Sequence, residues 1–237
     1  MSDIGVVYLA RGVDPNWNIR IERFMRSWIT HHPGIACQLY VIYKEFLPVD
    51  LQWAREFLNQ QYPHVQIVDY NDFNSYAGGS FLEAANHVVE PVVCFLGSTS
   101  EIMHDNWLIK LYAALQLPTV GAVCCTGSYG FITEFNPQLT YPNVHIRNLS
   151  FLMDRERYKV AASTVDWTEK PGPKLADLNF EHGPNSLTRQ IMAAGKTVLV
   201  VEKDRIRAPH EWGDTTYRGN LHNVLVHDRG ARDYQDL

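Results

Sequence analysis

Residues 95–101 read Phe-Leu-Gly-Ser-Thr-Ser-Glu, so an apolar segment ends here in hydroxyl groups and one carboxylate. The apolar residues 92–96 predict a buried strand. That strand would carry Ser98, Thr99 and Glu101 to the carboxyl edge of a sheet, where open α/β folds bind their ligands. Small polar groups and an acid at this edge predict a ligand-binding site.

A second acidic residue, Glu181, lies in the stretch Phe-Glu-His-Gly at residues 180–183. A positioned carboxylate can take the proton of a hydroxyl group while that hydroxyl attacks a carbon atom, so Glu181 is a candidate general base. The alternative is a structural role, in which Glu181 caps a helix that starts near Pro184 and is favoured there by the helix dipole. His182 is the nearest substitute base.

Common nucleotide-binding and catalytic signatures are absent from the sequence. Gly195-Lys196-Thr197 suggests a phosphate loop, but the first glycine that this motif requires is replaced by Gln190. No GxGxxG follows the first predicted strand, and no GxSxG occurs. The four cysteines lack the spacing of a zinc site, so we expect buried, reduced thiols.

The composition is typical of a globular enzyme. The 237 residues are 46% hydrophobic and 20% charged, with a formal net charge of -5. This charge gives no electrostatic footprint for non-specific nucleic-acid binding, although it leaves room for a local basic groove that contacts nucleic acid. The sequence has no apolar run near the roughly 20 residues of a membrane span and no signal-peptide pattern at its start, which predicts a cytoplasmic protein without a membrane span.

The candidate residues need a sheet to position them, and the first half of the chain alternates strand-like and helix-like segments. Apolar runs predict five buried strands, at residues 4–10, 39–43, 65–69, 92–96 and 120–125. Apolar residues at helical spacing predict helices around residues 21–28, 51–61, 81–88 and 108–115, the last of them capped by Asp105. This alternation predicts a largely parallel sheet with helices on both faces.

The second half is less regular, and it contains no segment that resembles a linker between domains. Its pattern predicts a strand at residues 145–153, a loop at 171–173, a helix at 184–194 and a strand at 197–202. We therefore expect a single domain over residues 1–237. Its polar and aromatic residues 205–237 are predicted to form a C-terminal segment that covers the edge of the sheet.

Residues 95–101, together with the Asn106-Trp107-Leu108 that follows, resemble the GT-A glycosyltransferases of the family-2 type. In that family the fourth strand ends in an Asp-x-Asp-like motif, which holds a divalent metal on the donor diphosphate. Other segments between residues 4 and 204 also resemble segments of this family, and they occur in the same order along the chain. The C-terminal segment, residues 205–237, is similar to that of a bacterial-type subgroup whose members lack a full Asp-x-Asp motif. The resemblance implies a three-layer α/β/α, Rossmann-like GT-A domain with a mostly parallel central sheet.

The resemblance also implies a donor site for a nucleoside diphosphate sugar on the first half of the chain. Ala10 and Arg11 end the first strand, where such enzymes hold the base and the ribose. Asp69 follows the third strand, where an acidic residue usually contacts the nucleoside. Ser98 and Thr99 would face the diphosphate.

One departure from the family pattern concerns the metal. Thr99 occupies the position of the first aspartate, so that Glu101 alone retains an acid. One carboxylate plus substrate phosphates can bind Mg²⁺ or Mn²⁺, which makes Glu101 the candidate metal ligand. The alternative is that arginines such as Arg11 or Arg147 carry the phosphate charge.

The acceptor side is implied by residues 147–155, which resemble the acceptor segment of the family, and by Glu181, which falls where its catalytic Glu-Asp motif lies. His145, Arg147 and Trp212 are the candidate acceptor-side residues. The implied function is transfer of a sugar to a hydroxyl acceptor with inversion. Two alternatives are a non-catalytic GT-A-like module that binds nucleotide sugars and a sugar-phosphate nucleotidyltransferase, whose glycine-rich basic loop is missing after the first strand.

Overall fold

The computed structural model describes residues 2–64, 66–72, 76–134, 136–167, 173–212 and 221–228, and for residues 66–72 it describes the backbone. Within these residues strands and helices alternate through the first half of the chain. The strands are β1 Ile4–Arg11, β2 Cys37–Lys44, β3 Gln66–Asp72, β4 Val92–Leu96, β5 Glu101–Ile102, β6 Val120–Cys124, β7 Gly127–Ser128, β8 His145–Ile146, β9 Ser150–Asp154, β10 Thr197–Val201, β11 Ile206–Arg207 and β12 Val226–His227. The helices are α1 Trp17–Thr30, α2 Pro48–Gln61, α3 Ala77–His87, α4 Trp107–Leu115, α5 Arg155–Ala162, α6 Pro173–His182 and α7 Leu187–Ala193.

In the described part of the chain, eight strands form one twisted sheet in the order β11-β10-β6-β9-β4-β1-β2-β3. The pairs β4–β1, β1–β2, β2–β3 and β6–β10 are parallel. Strand β9 lies between β4 and β6 and is antiparallel to both, and β11 is antiparallel to β10. The sheet is therefore mostly parallel, as the sequence predicts.

Two hydrophobic cores lie on opposite faces of this sheet, because its strands are apolar on both sides. On one face, Tyr8 and Leu96 pack against Phe24 of α1 and Leu111 of α4. On the other face, residues such as Phe95 pack against helices α3, α5, α6 and α7. The predicted three-layer α/β/α architecture is confirmed.

Parallel strands of one sheet all end at the same edge, and this edge collects the residues that follow β1, β2 and β4. Because β9 runs in the opposite direction, it brings its amino end to this same edge. The residues that precede β9, including Arg147 and Asn148, therefore join those that follow the parallel strands. This arrangement positions the candidate site described below.

The structure corrects the predicted elements of the second half. Residues 145–153 form two short strands separated by a turn at 147–149, and the helix predicted at 184–194 begins only at Leu187. Helix α6 was not predicted, because the prolines before it suggested a loop; Pro173 instead opens the helix, where its missing N–H costs nothing. Asp105 does not cap α4, and its Oδ1 atom accepts a hydrogen bond from the His32 N–H at 2.9 Å.

The described parts of the C-terminal segment, residues 205–212 and 221–228, contact the body of the domain. Strand β11 extends the large sheet, and β12 forms a separate pair with β5. Trp212 is buried, and its ring occupies the space beside Gly127, where a Cβ atom would lie 2.3 Å from the indole. Among the described residues, none of the helices has both the length and the apolar character needed to cross a membrane.

Candidate functional site

An ion-pair network holds the end of β1, the start of α1 and the end of β2 together. Asp14 pairs with Arg11 at 3.0 Å and with Arg20 at 2.5 Å. Glu45 pairs with the Arg11 Nε atom and, at 3.3 Å, with the ammonium group of Lys44. We call these five residues the cation cluster. Three cationic side chains are thus held at the carboxyl edge of the sheet by two carboxylates.

The loop after β4 reaches the cation cluster through Ser98. The Ser98 hydroxyl donates a hydrogen bond of 2.5 Å to Asp14 Oδ2, the same oxygen atom that pairs with Arg20. Beneath this contact, the buried Tyr8 hydroxyl donates to the Ser98 carbonyl oxygen at 3.1 Å. Burial, assisted by the charge of Asp14, raises the pKa of Tyr8, so that its phenol stays neutral.

The turn after β2 is strained in a way that supports the same network. Glu45 has a φ angle of 55°, a left-handed conformation that few residues other than glycine adopt. Gly12 packs directly on this turn: its N–H donates to the Lys44 carbonyl at 2.8 Å, and a Cβ atom at position 12 would lie 2.6 Å from Phe46 Cα. Strain of this kind concentrates at functional sites, where neighbouring contacts maintain it.

A second group of titratable side chains lies on the α6 side of the edge. Glu181 and Arg147 form an ion pair at 3.1 Å, and both side chains are mostly buried. His145 and His182 have ring centroids 5.7 Å apart. We call these four residues, together with Asp177, the Glu181 cluster. The structure thus brings together His145, Arg147 and Glu181, three of the residues that the sequence predicts for the acceptor side and for catalysis.

The position of Glu181 argues against the capping role considered from the sequence. Glu181 lies in the last turn of α6, and the following helix α7 is capped by Ser186, whose side chain accepts from the Arg189 N–H. An acidic residue in the last turn of a helix is disfavoured by the helix dipole, so this place gives Glu181 no intrinsic stability. Its pairing with Arg147 offsets that cost.

Both histidines of the Glu181 cluster are neutral at neutral pH. Burial lowers the pKa of His145 to about 4, although the charge of Glu181 acts in the opposite direction. Burial also lowers the pKa of His182, with the same opposing contribution from Glu181. The His182 Nδ1 atom is buried and has no hydrogen-bond partner among the described residues.

Asp177 is a member of the cluster that sequence reasoning missed. Its Oδ1 atom accepts a hydrogen bond of 2.8 Å from the Gly78 N–H in the first turn of α3. Burial raises the pKa of Asp177 to about 7; the Gly78 N–H lowers it, the charge of Glu181 raises it, and Lys44 and Arg147 lower it. Lys44 and Arg147, which both lower the pKa of Asp177, lie at the same edge of the sheet, Lys44 at the end of β2 and Arg147 just before β9.

Asn148, next to Arg147, is buried, and neither its Nδ2 nor its Oδ1 atom has a hydrogen-bond partner among the described residues. Leaving a buried donor or acceptor unsatisfied costs about 1–3 kcal/mol, so native structures rarely contain such groups without a reason. Its neighbour Leu149 accepts hydrogen bonds from the Gly97 N–H and the Ser100 hydroxyl through its carbonyl oxygen. Asn148 therefore lies beside the loop after β4, where a ligand could supply the missing partners.

The other predicted residues lie in varied settings. Ala10 is completely buried in β1, and Asp69 belongs to β3, where its side chain is outside the described residues. Thr99 is half-buried beside Ser98. Glu101 starts β5 and lines a groove of about 390 Å³ along α1. Trp212 stacks on Tyr129 and donates its Nε1–H to the Arg207 carbonyl, so its ring has no exposed face.

The Asp-x-Asp position supplies one carboxylate, that of Glu101, which without substrate phosphates gives too few oxygen ligands for a divalent-metal site. Thr99 brings a hydroxyl where the pattern has its first aspartate, and the Asp14 carboxylate, which Ser98 contacts, is already occupied by Arg11, Arg20 and Ser98. Within the described residues, no group of three or more histidine, cysteine or acidic side chains could hold a metal ion. Three cationic groups lie instead next to the point where the family places its acidic pair.

The unsatisfied amide of Asn148 predicts that Asn148→Leu stabilises the ligand-free protein. Leucine has a similar size and removes two unpaired polar atoms, so we expect the melting temperature to rise by about 2–4 °C. The matched control is Asn143→Leu. The buried Asn143 amide donates to the His182 carbonyl at 2.8 Å and accepts from Arg189 at 3.0 Å, so this variant should melt at a lower temperature. A loss of stability in Asn148→Leu would contradict the unsatisfied state of the amide.

The raised pKa of Asp177 predicts a pH-dependent effect of Asp177→Asn. The folded protein keeps the Asp177 proton up to about pH 7, whereas the unfolded chain loses it near the ordinary value of 3.8. The stability of the native protein that comes from this group is therefore complete below the unfolded value and is lost as the pH rises through about 7. Asparagine cannot ionise and still accepts from Gly78. The melting temperature of the variant relative to the parent should rise from pH 5 to pH 7 and level off above pH 8.

Asp154→Asn is the control for this pH series, since Asp154 is exposed and caps α5 by accepting from the Arg157 N–H. Its difference from the parent should change little over the same range. Equal pH profiles for Asp177→Asn and the parent would show that Asp177 is ionised in the folded protein.

Comparison with known proteins gives no match to a protein-family model and no match to a curated protein. Solved structures do match. The mannosyltransferase PcManGT from Pyrobaculum calidifontis, in complex with GDP-Man and Mn²⁺, superposes with a TM-score of 0.56 and 13% identity, over 86% of this chain and 55% of that chain. GalNAc-T7 with UDP, GalNAc and Mn²⁺ superposes with a TM-score of 0.59 and 12% identity, over 84% of this chain and 42% of that chain.

The chain thus spans about half the length of the two solved structures. At these identities the likeness concerns the fold, and the family-2-like subgroup stays a prediction from the sequence. Both matching proteins are GT-A glycosyltransferases, and the likeness covers most of this chain. The protein has the α/β fold of the GT-A glycosyltransferases.

Proposed function

We propose that this protein transfers a sugar from a nucleoside diphosphate sugar to a hydroxyl group of an acceptor, with inversion at the anomeric carbon. The observation that carries the proposal is the pairing of Glu181 with Arg147 at the carboxyl edge of a GT-A sheet, the edge where the cation cluster also lies. Such a transfer needs two components. One is a carboxylate that can accept a proton, and the other is a group of cations that can bind phosphate.

On the donor side, Ala10, Arg11 and Asp69 would contact the nucleoside, and Ser98 and Thr99 the diphosphate. The Arg11 guanidinium is one-third exposed and lies between Asp14 and Glu45, at the end of β1. Ala10 could contribute through its backbone alone, because its side chain is buried in the sheet. A metal on Glu101 remains a prediction, which the comparison of EDTA and Mn²⁺ below tests.

On the acceptor side, Glu181 would take the proton of the acceptor hydroxyl. The hydroxyl oxygen forms the new bond to the anomeric carbon, the bond between that carbon and the phosphate oxygen breaks, and the nucleoside diphosphate leaves with the bonding electrons. Arg147 holds the carboxylate in place through its 3.1 Å ion pair. His145 and Arg147 would line the acceptor side. His182 is the alternative base, since its lowered pKa leaves it neutral and able to accept a proton.

The two alternative functions differ from this proposal in what they require. A nucleotidyltransferase would need a glycine-rich basic loop after β1, whereas residues 12–16 contain one glycine and no basic residue. A non-catalytic module would bind nucleotide sugars without turnover, and Glu181 would then serve the fold alone. Polysaccharide, lipid carrier, protein and nucleic-acid base all remain possible acceptors.

Binding and turnover of the donor test the proposal directly. A nucleoside diphosphate that binds only the native state raises the melting temperature by mass action, with about 2.7 kcal/mol of stabilisation at one hundred times its dissociation constant. We therefore expect at least one of UDP, GDP, ADP and dTDP to stabilise the protein at millimolar concentration. The corresponding sugar nucleotide should then release free sugar slowly in the absence of an acceptor. Stabilisation without any turnover would favour the binding module, and no stabilisation by any of the four would refute the donor site.

Glu181→Gln separates a catalytic role from a structural one. Glutamine keeps the size of the side chain and an oxygen atom facing Arg147, but it cannot take up the acceptor proton. General-base catalysis contributes about 10²- to 10⁴-fold, so turnover should fall by roughly that factor while donor affinity is kept. Glu156→Gln is the control, because it breaks an arginine–glutamate pair of 2.9 Å on the exposed surface of α5 and should leave turnover unchanged. If the Glu181→Gln protein melted at a lower temperature than the parent but kept the parental turnover, Glu181 would be ruled out as the base.

A further inference from the structure

The cation cluster meets the loop after β4 at a single atom. Asp14 Oδ2 accepts from both the Ser98 hydroxyl and the Arg20 guanidinium, each at 2.5 Å. Ser98 lies one residue before Thr99, which stands where the family pattern has its first aspartate. A guanidinium group is therefore located next to the position at which the family pattern would place a cation-binding acid.

We infer that Arg11 and Arg20 bind the diphosphate of the donor directly and that the buried Lys44 adds positive charge next to them, so that this protein needs no divalent cation to hold the diphosphate. The inference rests on the proposed function, since it concerns the donor of that reaction. Arg20 and Lys44 are new assignments, because the sequence pattern pointed to Arg11 alone among the three.

The guanidinium groups keep hydrogen-bond donors available for a phosphate. Arg11 uses Nε and Nη1 for Glu45 and Asp14, and Arg20 uses Nη1 for Asp14, out of five N–H donors in each side chain. The remaining donors of both residues have no acceptor among the described residues. The Arg11 and Arg20 side chains are 34% and 20% exposed, so a ligand can reach them. Arginine forms bidentate hydrogen bonds to phosphate, which suits this geometry.

Asp14 and Glu45 fix these cations before a ligand arrives. Each carboxylate pairs with two cationic groups, and the side chains of both are about nine-tenths buried. Lys44 is the last residue of β2, opposite Arg11 in the sheet, and it is buried, so its ammonium adds positive charge without losing side-chain freedom on binding. Positive charge held in a fixed arrangement stabilises the negative charge that develops on a departing diphosphate at little reorganisation cost.

The pairing of Asp14 with Arg11 and Arg20 excludes the alternative in which Asp14 replaces the missing aspartate as a metal ligand. Both Asp14 oxygen atoms already accept hydrogen bonds from charged groups, and a divalent cation at Asp14 would lie beside two guanidinium groups. Like charges at such distances repel, whereas a diphosphate is attracted to the same groups.

Isothermal titration of the intact protein with UDP and GDP tests the inference, in an excess of EDTA and in millimolar Mn²⁺. We expect the dissociation constant in EDTA to match that in Mn²⁺ within about threefold, which corresponds to less than 1 kcal/mol. Arg20→Gln should weaken binding by about tenfold or more in both buffers, because it removes a charged hydrogen bond to phosphate. Arg23→Gln makes the same change of charge on an exposed residue of α1 and should bind like the parent.

Lys44→Met is the second variant, since methionine fills the buried space without the charge, and it should also weaken binding in both buffers. Melting curves of each variant confirm that it is folded before titration. Binding that requires Mn²⁺, or parental affinity in folded Arg20→Gln, would overturn the inference and leave the proposed function intact. Binding of neither nucleotide in either buffer, with no stabilisation by any other nucleoside diphosphate, would overturn both together.

Discussion

The carboxylate of Asp14 is the contact on which the geometry of the cation cluster depends. It joins three segments that are distant in the sequence: the end of β1 through Arg11, the first helix through Arg20 and the loop after β4 through Ser98. Two guanidinium groups would repel each other at this separation without a carboxylate between them. Asp14 therefore fixes both the distance between the two arginines and the position of the loop after β4.

The carboxyl edge separates a group of cations from a group of mostly buried titratable side chains. On one side, carboxylates hold cations in position; on the other, the cation Arg147 holds the carboxylate of Glu181. Asp177 lies where the two sides influence each other, and burial keeps it largely protonated up to about pH 7. The neutral His145 and His182 add no charge that would disturb either side.

The sequence predicted the first half of the fold well, because strands buried on both faces leave continuous apolar runs such as residues 92–96. It could not give the direction of β9, since an apolar run looks the same in parallel and antiparallel strands. Helix α6 was hidden by Pro173, although proline is common at the first position of a helix. Once α6 is placed, the spacing of Asp177 and Glu181 by four residues puts both on one face, which is the signal that would have revealed Asp177. The partners of Asp14 were beyond reach, because they depend on tertiary contacts.

The reversed strand β9 makes the two halves of the site unequal in their tolerance of insertions and deletions. A parallel strand delivers the residues that follow it, so a change of length there is absorbed by the loop beyond. Arg147 and Asn148 instead lie in the three-residue turn between β8 and β9, and both of these strands are fixed by pairing. Deleting one residue from this turn would reverse the alternation of side chains and separate Arg147 from Glu181. Under the proposed function, homologous chains that differ in their acceptors should therefore vary in length before β8, across residues 129–144, and keep this turn at constant length.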